Sequence, residues 1–113
     1  MKAARLAVLA VLLMLVTVAA AEPRLVEFAI RDGQLPKDQR VVRVRQGDEV
    51  TLRWTSDGPY TLHLHGYDLE AKVAPETPVS IRFSARASGR FPIEIHGARV
   101  QERTVGYLEV HPR

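Results

Sequence analysis

The sequence predicts an all-β protein, built as a sandwich or a small barrel. Three observations lead to this prediction. Short segments alternate between apolar and polar residues, turn residues separate them at regular intervals, and no long segment has helical periodicity. Alternation with a period of two puts the apolar side chains on one face of a strand, where they can form a core. Several short strands of this kind are typical of sandwiches and barrels.

The first elements are three half-buried strands. "RLVEFAIRDG" alternates up to a turn at Asp32 and Gly33, and "VVRVRQGDEVTLRW" contains two more alternating runs around a turn at residues 46–48. The apolar face of this second segment consists of Val42, Val44, Val50, Leu52 and Trp54. The pattern indicates two strands joined by a tight connection, with Trp54 in the core.

The later segments alternate in the same way. They read "YTLHLHG", "VSIRFSA", "SGRFPIEIHG" and "VGYLEV". Pro92 cannot donate a backbone hydrogen bond, which predicts a strand start or an irregular edge at that point. "DLEAKVA" is the only candidate helix, and it fits a strand equally well.

Residues 1–21 have the layout of a secretory signal peptide. Lys2 and Arg5 give a positive start, residues 6–18 are apolar, and three alanines precede Glu22. The apolar run is short for a spanning helix, which needs about 20 residues. An uncleaved anchor is the alternative. Residues 22–113 then form one domain, which we expect to be periplasmic or secreted and not membrane-spanning after cleavage.

Charge and sulfur content exclude several functions. Without Lys2 and Arg5 the chain keeps 14 basic against 13 acidic residues, and the basic ones form no block, so a nucleic-acid partner is not predicted. The chain has no cysteine, and both methionines, Met1 and Met14, lie in the signal. Soft metal sites built on thiolate or thioether are therefore excluded. No nucleophile–base pair or acid–base carboxylate pair stands out, and no enzyme is predicted.

The order of these motifs resembles the cupredoxin family over about residues 28–110. The counterparts are the Gly47-Asp48 turn and the segments 50–54, 60–66, 81–83, 89–95 and 103–110. The resemblance implies a Greek-key β-sandwich. Small periplasmic cupredoxin-like domains of the iron-uptake-associated type look most similar.

The family's blue-copper site uses two histidines, one cysteine and usually a methionine. The resemblance puts Tyr60 at the first histidine position, Ile95 at the cysteine and Thr104 at the methionine. His96 lies near the second histidine but out of register. Without a thiolate, no blue-copper centre and no electron transfer through one are expected.

The pair His63 and His65 in "YTLHLHGYD" is the main candidate for chemistry. Side chains at i and i+2 of a strand share a face, with their bases about 6–7 Å apart. Imidazoles at that spacing can converge on copper(II), zinc or nickel. Two ligands alone bind weakly, and the resemblance makes the segment with Glu94 and His96 the neighbouring strand.

The strand register decides which of these residues can meet. If Tyr60 lies opposite Ile95, His63 falls beside Pro92 and diagonal to Glu94. This register favours a site of His63, His65 and Glu94, with His96 joining only from a flexible loop or across a bulge.

Two functions remain open. The first is a carrier or sensor that binds copper(II) or zinc through His63, His65, Glu94 and His96. The second is a metal-free interaction module with a periplasmic or membrane protein partner, in which the histidines are simply the solvent face of a strand. A stripe of arginines, predicted to form one solvated face, would suit an acidic partner. It consists of Arg43, Arg45 and Arg53.

Overall fold

The computed structural model describes residues 13–15, 22–97 and 99–113. Its strands are β1 (Pro23–Ile30), β2 (Val41–Arg45), β3 (Glu49–Ser56), β4 (Tyr60–Leu64), β5 (Leu69–Val73), β6 (Val79–Ser84), β7 (Gly89–Gly97) and β8 (Val100–His111). A single 3-10 turn at Lys37–Gln39 precedes β2. The predicted signal peptide lies outside the described residues except for 13–15, so its cleavage stays a prediction. Within the described ranges, no helix has the length and apolar character needed to cross a bilayer.

The strands form two sheets, which confirms the predicted β-sandwich. One sheet has the order β1-β3-β6, and the other has the order β2-β8-β7-β4-β5. The pairs β1–β3 and β2–β8 are parallel, and the remaining pairs are antiparallel. Strands that follow each other in the chain often lie in different sheets, as β2 and β3 do. The apolar faces of the two sheets therefore meet in one core.

The core contains the residues that the alternation places inward. Trp54 and Phe28 are 2% and 1% exposed, and their rings stack with centroids 4.1 Å apart. Leu62 and Leu64 of β4 and Ile93 and Ile95 of β7 are buried as well. Their alternate neighbours point outward, which leaves one polar face on the larger sheet.

The connection from β2 to β3 is fastened by a buried carboxylate. Asp48 has no exposed surface, and it accepts a hydrogen bond from the Arg45 amide at 2.9 Å. Its oxygens also contact the guanidinium groups of Arg24 and Arg113. Burial raises the pKa of Asp48, but the amides of Arg45 and Glu22 and the two guanidinium charges outweigh burial, and the pKa lies below its ordinary value of 3.8.

Three details of the sequence interpretation change. "DLEAKVA" contains a strand, β5, and no helix. Pro92 lies inside β7, between two paired strands. Its missing N–H is tolerated because β4 ends at Leu64, so the ladder on that side stops beside Pro92. Finally, Arg53 lies on β3, in the sheet opposite Arg43 and Arg45, so the three arginines do not form one face.

Candidate metal site

The polar face of the larger sheet brings the predicted ligands of β4 and β7 together. His63 of β4 lies directly opposite Glu94 of β7. On its other side His63 is paired with Glu70 of β5, and Glu94 is paired with Thr104 of β8. These four residues form one row across four strands, because residues paired in register project to the same face.

The register expected from the resemblance was wrong by two residues. Leu62, not Tyr60, lies opposite Ile95, so His63 faces Glu94 directly and not diagonally. A shift of two keeps every apolar side chain on the inner face, and the hydrophobic pattern cannot distinguish the two registers.

His65 lies just beyond the end of β4, and the backbone there fixes its position. Its amide donates to the Pro92 carbonyl at 3.0 Å. The chain then turns at Gly66, which has φ +85°. The His65 side chain is 42% exposed, and its Nε2 is 2.9 Å from Oε2 of Glu94.

This close approach is not a well-directed hydrogen bond. Nε2 of His65 is buried, and it has no partner in an acceptable direction although the Glu94 oxygen is near. The ring nitrogen of His65 and the carboxylate oxygen of Glu94 are both potential metal ligands, and they lie close together. One oxygen of Glu102 completes the group: the ligand atoms of His65, Glu94 and Glu102 all lie within 4.8 Å of one another.

The electrostatics of Glu94 reflect this setting. Its side-chain contact with His65 lowers the pKa most, and the contact with Glu102 lowers it further. Burial acts in the opposite direction, and the charges of His65 and His63 add to the lowering. Glu94 is therefore ionised at neutral pH, which is the state that coordinates a metal ion.

Glu102 was not among the residues predicted from the sequence. It lies on β8, two residues before Thr104 and on the same face. The β7–β8 pairing has register shifts on both sides of the Glu94–Ile95 stretch, and between them Glu102 comes diagonal to Glu94. Extending the alternation of "VGYLEV" back through "QERT" would place Glu102 on the inner face with Leu108 and Val110, and only the irregularity beside Gly106 turns it to the polar face.

His63 is next to the group but not part of it. Its ring lies 4.3 Å from the His65 ring at an interplanar angle of 60°. Its Nε2 is 3.3 Å from Oδ1 of Asp68, a side chain that is 99% exposed. A contact with so exposed a carboxylate is weak and easily exchanged. His63 therefore lies within a rotamer change of the Glu94 oxygens.

His96 and His111 lie elsewhere. His96 is opposite Thr61, one row beyond Glu94, and among the described residues it does not join the converging ligand atoms. Its role as a ligand stays a prediction. His111 lies at the far end of β8, and its Nε2 is 3.2 Å from Oε1 of Glu109.

The positions of a blue-copper site do not offer its ligands. Ile95 is fully buried in the core, Thr104 lies on the outer polar face, and the Tyr60 ring lies beside Gly33 and Gly58. These side chains present no thiolate, thioether or imidazole, and so the residues present do not fit that centre.

Comparison with solved structures identifies the fold. A copper binding protein in its apo form superposes with a TM-score of 0.63 at 8% identity, covering 81% of this chain and 97% of the other. Auracyanin A, a "blue" copper protein from Chloroflexus aurantiacus, gives 0.59 at 15% identity, covering 79% and 99%. A multicopper oxidase gives 0.59 at 20%, covering 80% of this chain but 42% of its own length. No family model and no curated protein sequence matches the chain.

These likenesses define the class of the fold. The chain is a cupredoxin-like β-sandwich, as the resemblance implied, and it spans nearly the full length of the single-domain neighbours. At these identities the likeness shows the fold alone. The function has to be argued from the site on the larger sheet.

Proposed function

We propose that the protein binds one divalent transition-metal ion, copper(II) or zinc, through His65, Glu94 and Glu102. His63 joins as the fourth ligand when the ion binds. The protein then acts as a metal carrier or sensor outside the cytoplasm, and neither as an enzyme nor as a blue-copper electron carrier. The observation that supports this most is the convergence of one imidazole nitrogen and two carboxylate oxygens within 4.8 Å.

The spacing suits an ion after a small adjustment. Ligand atoms about 2.1 Å from a tetrahedral zinc ion lie about 3.4 Å from one another. Atoms up to 4.8 Å apart therefore need to close by up to about 1.4 Å, which side-chain rotation allows. The cation would also give the buried Nε2 of His65 a partner.

The donor set indicates the class of metal. Imidazole nitrogen with carboxylate oxygen suits zinc, and in a tetragonal arrangement it suits copper(II). The two single-domain neighbours are described as a copper binding protein and a "blue" copper protein, which supports copper as a candidate here. The resemblance to iron-uptake-associated periplasmic domains belongs to the same proposal and supports a role in metal handling.

The exposure of the site supports exchange of the ion. The His65 side chain is 42% exposed and that of Glu94 is 22% exposed. Ligands that stay partly exposed let an ion enter from solvent and leave again. This favours a carrier or sensor over a metal that only stabilises the fold.

The test is metal titration of the untagged protein by calorimetry with zinc and with copper(II). We expect one ion per chain and a loss of at least about tenfold in affinity for His65→Ala and for Glu102→Gln, since each removes a ligand. The matched control is His111→Ala, because His111 also contacts a glutamate on the same sheet but belongs to no converging group of three ligand atoms among the described residues.

The pH dependence gives a second readout. Binding should weaken in acid, because protonated imidazole cannot coordinate. Bound metal should also raise the melting temperature, since it binds only the folded state. Equal affinity in wild type, His65→Ala and the His63→Ala/His65→Ala double variant would refute the metal site. The metal-free interaction module would then be the better explanation. A loss with His96→Ala would add that residue to the site.

A further inference from the structure

A groove at the free edge of β2 has an unusual lining. Its volume is about 520 Å³, and its walls are formed by Arg24, Arg43, Val44, Arg45, His111, Pro112 and Arg113. Every ionisable side chain of this lining is an arginine or a histidine. No aspartate or glutamate belongs to it, although the mature chain has almost as many acidic as basic residues.

Two acidic partners of these arginines lie behind the groove wall, and a third, Glu22, is exposed and lies 3.4 Å from Arg24. Asp48 is fully buried, and it contacts both Arg24 and Arg113. Glu109 is 20% exposed and lies 3.2 Å from Arg43. The carboxylates thus hold three guanidinium groups in place from the protein side, while the groups still face the groove. Such prior ordering lowers the entropy lost when a ligand binds.

Arg45 stands in a different position from the other three arginines. Its side chain is exposed, and within the described residues it makes no ion pair. Its backbone is nevertheless fixed, because its amide donates to the buried Asp48 at 2.9 Å and its strand pairs with β8 opposite His111. The Arg45 guanidinium thus extends from a fixed backbone, without an ion-pair partner, beside the guanidinium groups of the other three arginines. Such an arrangement favours binding of an anion.

We propose that this groove binds an oxyanion that carries two or more negative charges, namely a phosphoryl group. Arginine presents a planar fork of donors that matches phosphate oxygens, and several forks can share one group. The groove is larger than phosphate alone, so it leaves room for an organic substituent. The phosphoryl group belongs either to a small soluble molecule or to a lipid headgroup.

The groove is separate from the metal site. Glu102 and His111 lie near opposite ends of β8, and nine residues of strand separate them by roughly 30 Å. β2 and β4 are also separated by two intervening strands. The oxyanion proposal therefore does not depend on metal binding, and the two can be tested independently.

The experiment is calorimetric titration of the whole protein with inorganic phosphate and with pyrophosphate. We expect pyrophosphate to bind more tightly than phosphate and Arg45→Gln to weaken it by about tenfold, because one charged fork is lost. Arg82→Gln is the matched control: Arg82 is also an exposed strand arginine, but it lies on β6 in the other sheet. His65→Ala should bind pyrophosphate as wild type does.

Vesicle sedimentation separates the two sources. Binding to vesicles that contain phosphatidic acid, whose phosphomonoester carries up to two negative charges, but not to vesicles of phosphatidylcholine alone, would assign a lipid headgroup if Arg45→Gln loses it and Arg82→Gln keeps it. Binding of pyrophosphate without binding to vesicles would assign a soluble ligand. The proposal is overturned if neither probe binds, or if Arg45→Gln and Arg82→Gln weaken binding equally while both variants melt like wild type.

Discussion

Replacing Gly66 by alanine tests how the turn after His65 is built. Gly66 has φ +85°, and a Cβ at this position would lie 2.2 Å from Cδ1 of Phe91 and 2.6 Å from Cε1. Gly47 is a natural comparison. Its φ is +90°, but a Cβ there would have no neighbour within 4 Å. The two glycines thus share the backbone strain and differ in the steric clash.

The two contributions can be separated in magnitude. A side chain forced to positive φ costs about 1–3 kcal/mol. Gly47→Ala should therefore lower the free energy of unfolding by about 1–3 kcal/mol. Gly66→Ala adds a clash with an aromatic ring, and forced overpacking costs about 1–3 kcal/mol more. Its total is about 2–6 kcal/mol, and for a domain of this size each kcal/mol lowers the melting temperature by about 4–8 °C.

The assay is urea denaturation of both variants, followed by metal titration where the protein remains folded. Gly66→Ala should also weaken metal binding, since a shifted turn moves His65 away from Glu94, whereas Gly47→Ala should leave metal affinity unchanged. Phe91→Ala removes the clashing ring. In a Phe91→Ala background, the loss of unfolding free energy caused by Gly66→Ala should therefore fall to the loss caused by Gly47→Ala. Equal destabilisation by the two single variants in the wild-type background would refute the clash.

Two further predictions concern other parts of the chain. Asp48→Asn should lower stability at pH 7, and its difference from wild type should shrink as the pH falls below about 4. The folded pKa of Asp48 is depressed, so its ionised contacts stabilise above the unfolded pKa and are lost as the pH passes through the folded value. A difference that stayed constant down to pH 2 would contradict this account. Copper(II) added to the protein should give no intense blue absorption, because Ile95 and Thr104 offer no sulfur, and a strong blue colour would show the opposite.

The sequence was sufficient to predict a β-sandwich and to predict which residues of each strand face the core. Alternation places Trp54 and Leu62 inside and His63 outside because a pleated strand gives a residue only two directions. The same argument fails for register. Tyr60 and Leu62 are two residues apart and so lie on the same face of β4. The alternation therefore permits either of them opposite Ile95, and only the assembled sheet selects Leu62.

The candidate site was predictable in part, because the alternation also shows which polar residues share the outer face. His65 and Glu94 face the same side whatever the register, and the structure brings their ligand atoms to 2.9 Å. Glu102 depends on two irregularities in the β7–β8 pairing, and no periodic pattern contains them. His96 is close to Glu94 in sequence, but among the described residues it does not join the ligand atoms of His65, Glu94 and Glu102.

The parallel pairing of β2 with β8 has a consequence for how the chain folds. Val41 pairs with Tyr107, so β2 at the edge of the larger sheet cannot pair until β8, more than 60 residues later in the sequence, is present. Contacts between such distant residues require loop closure before they stabilise anything, and domains dominated by them fold in milliseconds to seconds. β1 and β3 can pair early, but the five-stranded sheet cannot be completed until β8 has been synthesised. Until then the apolar face of β2 remains open to other chains, and a chaperone that holds unfolded segments would act in this interval.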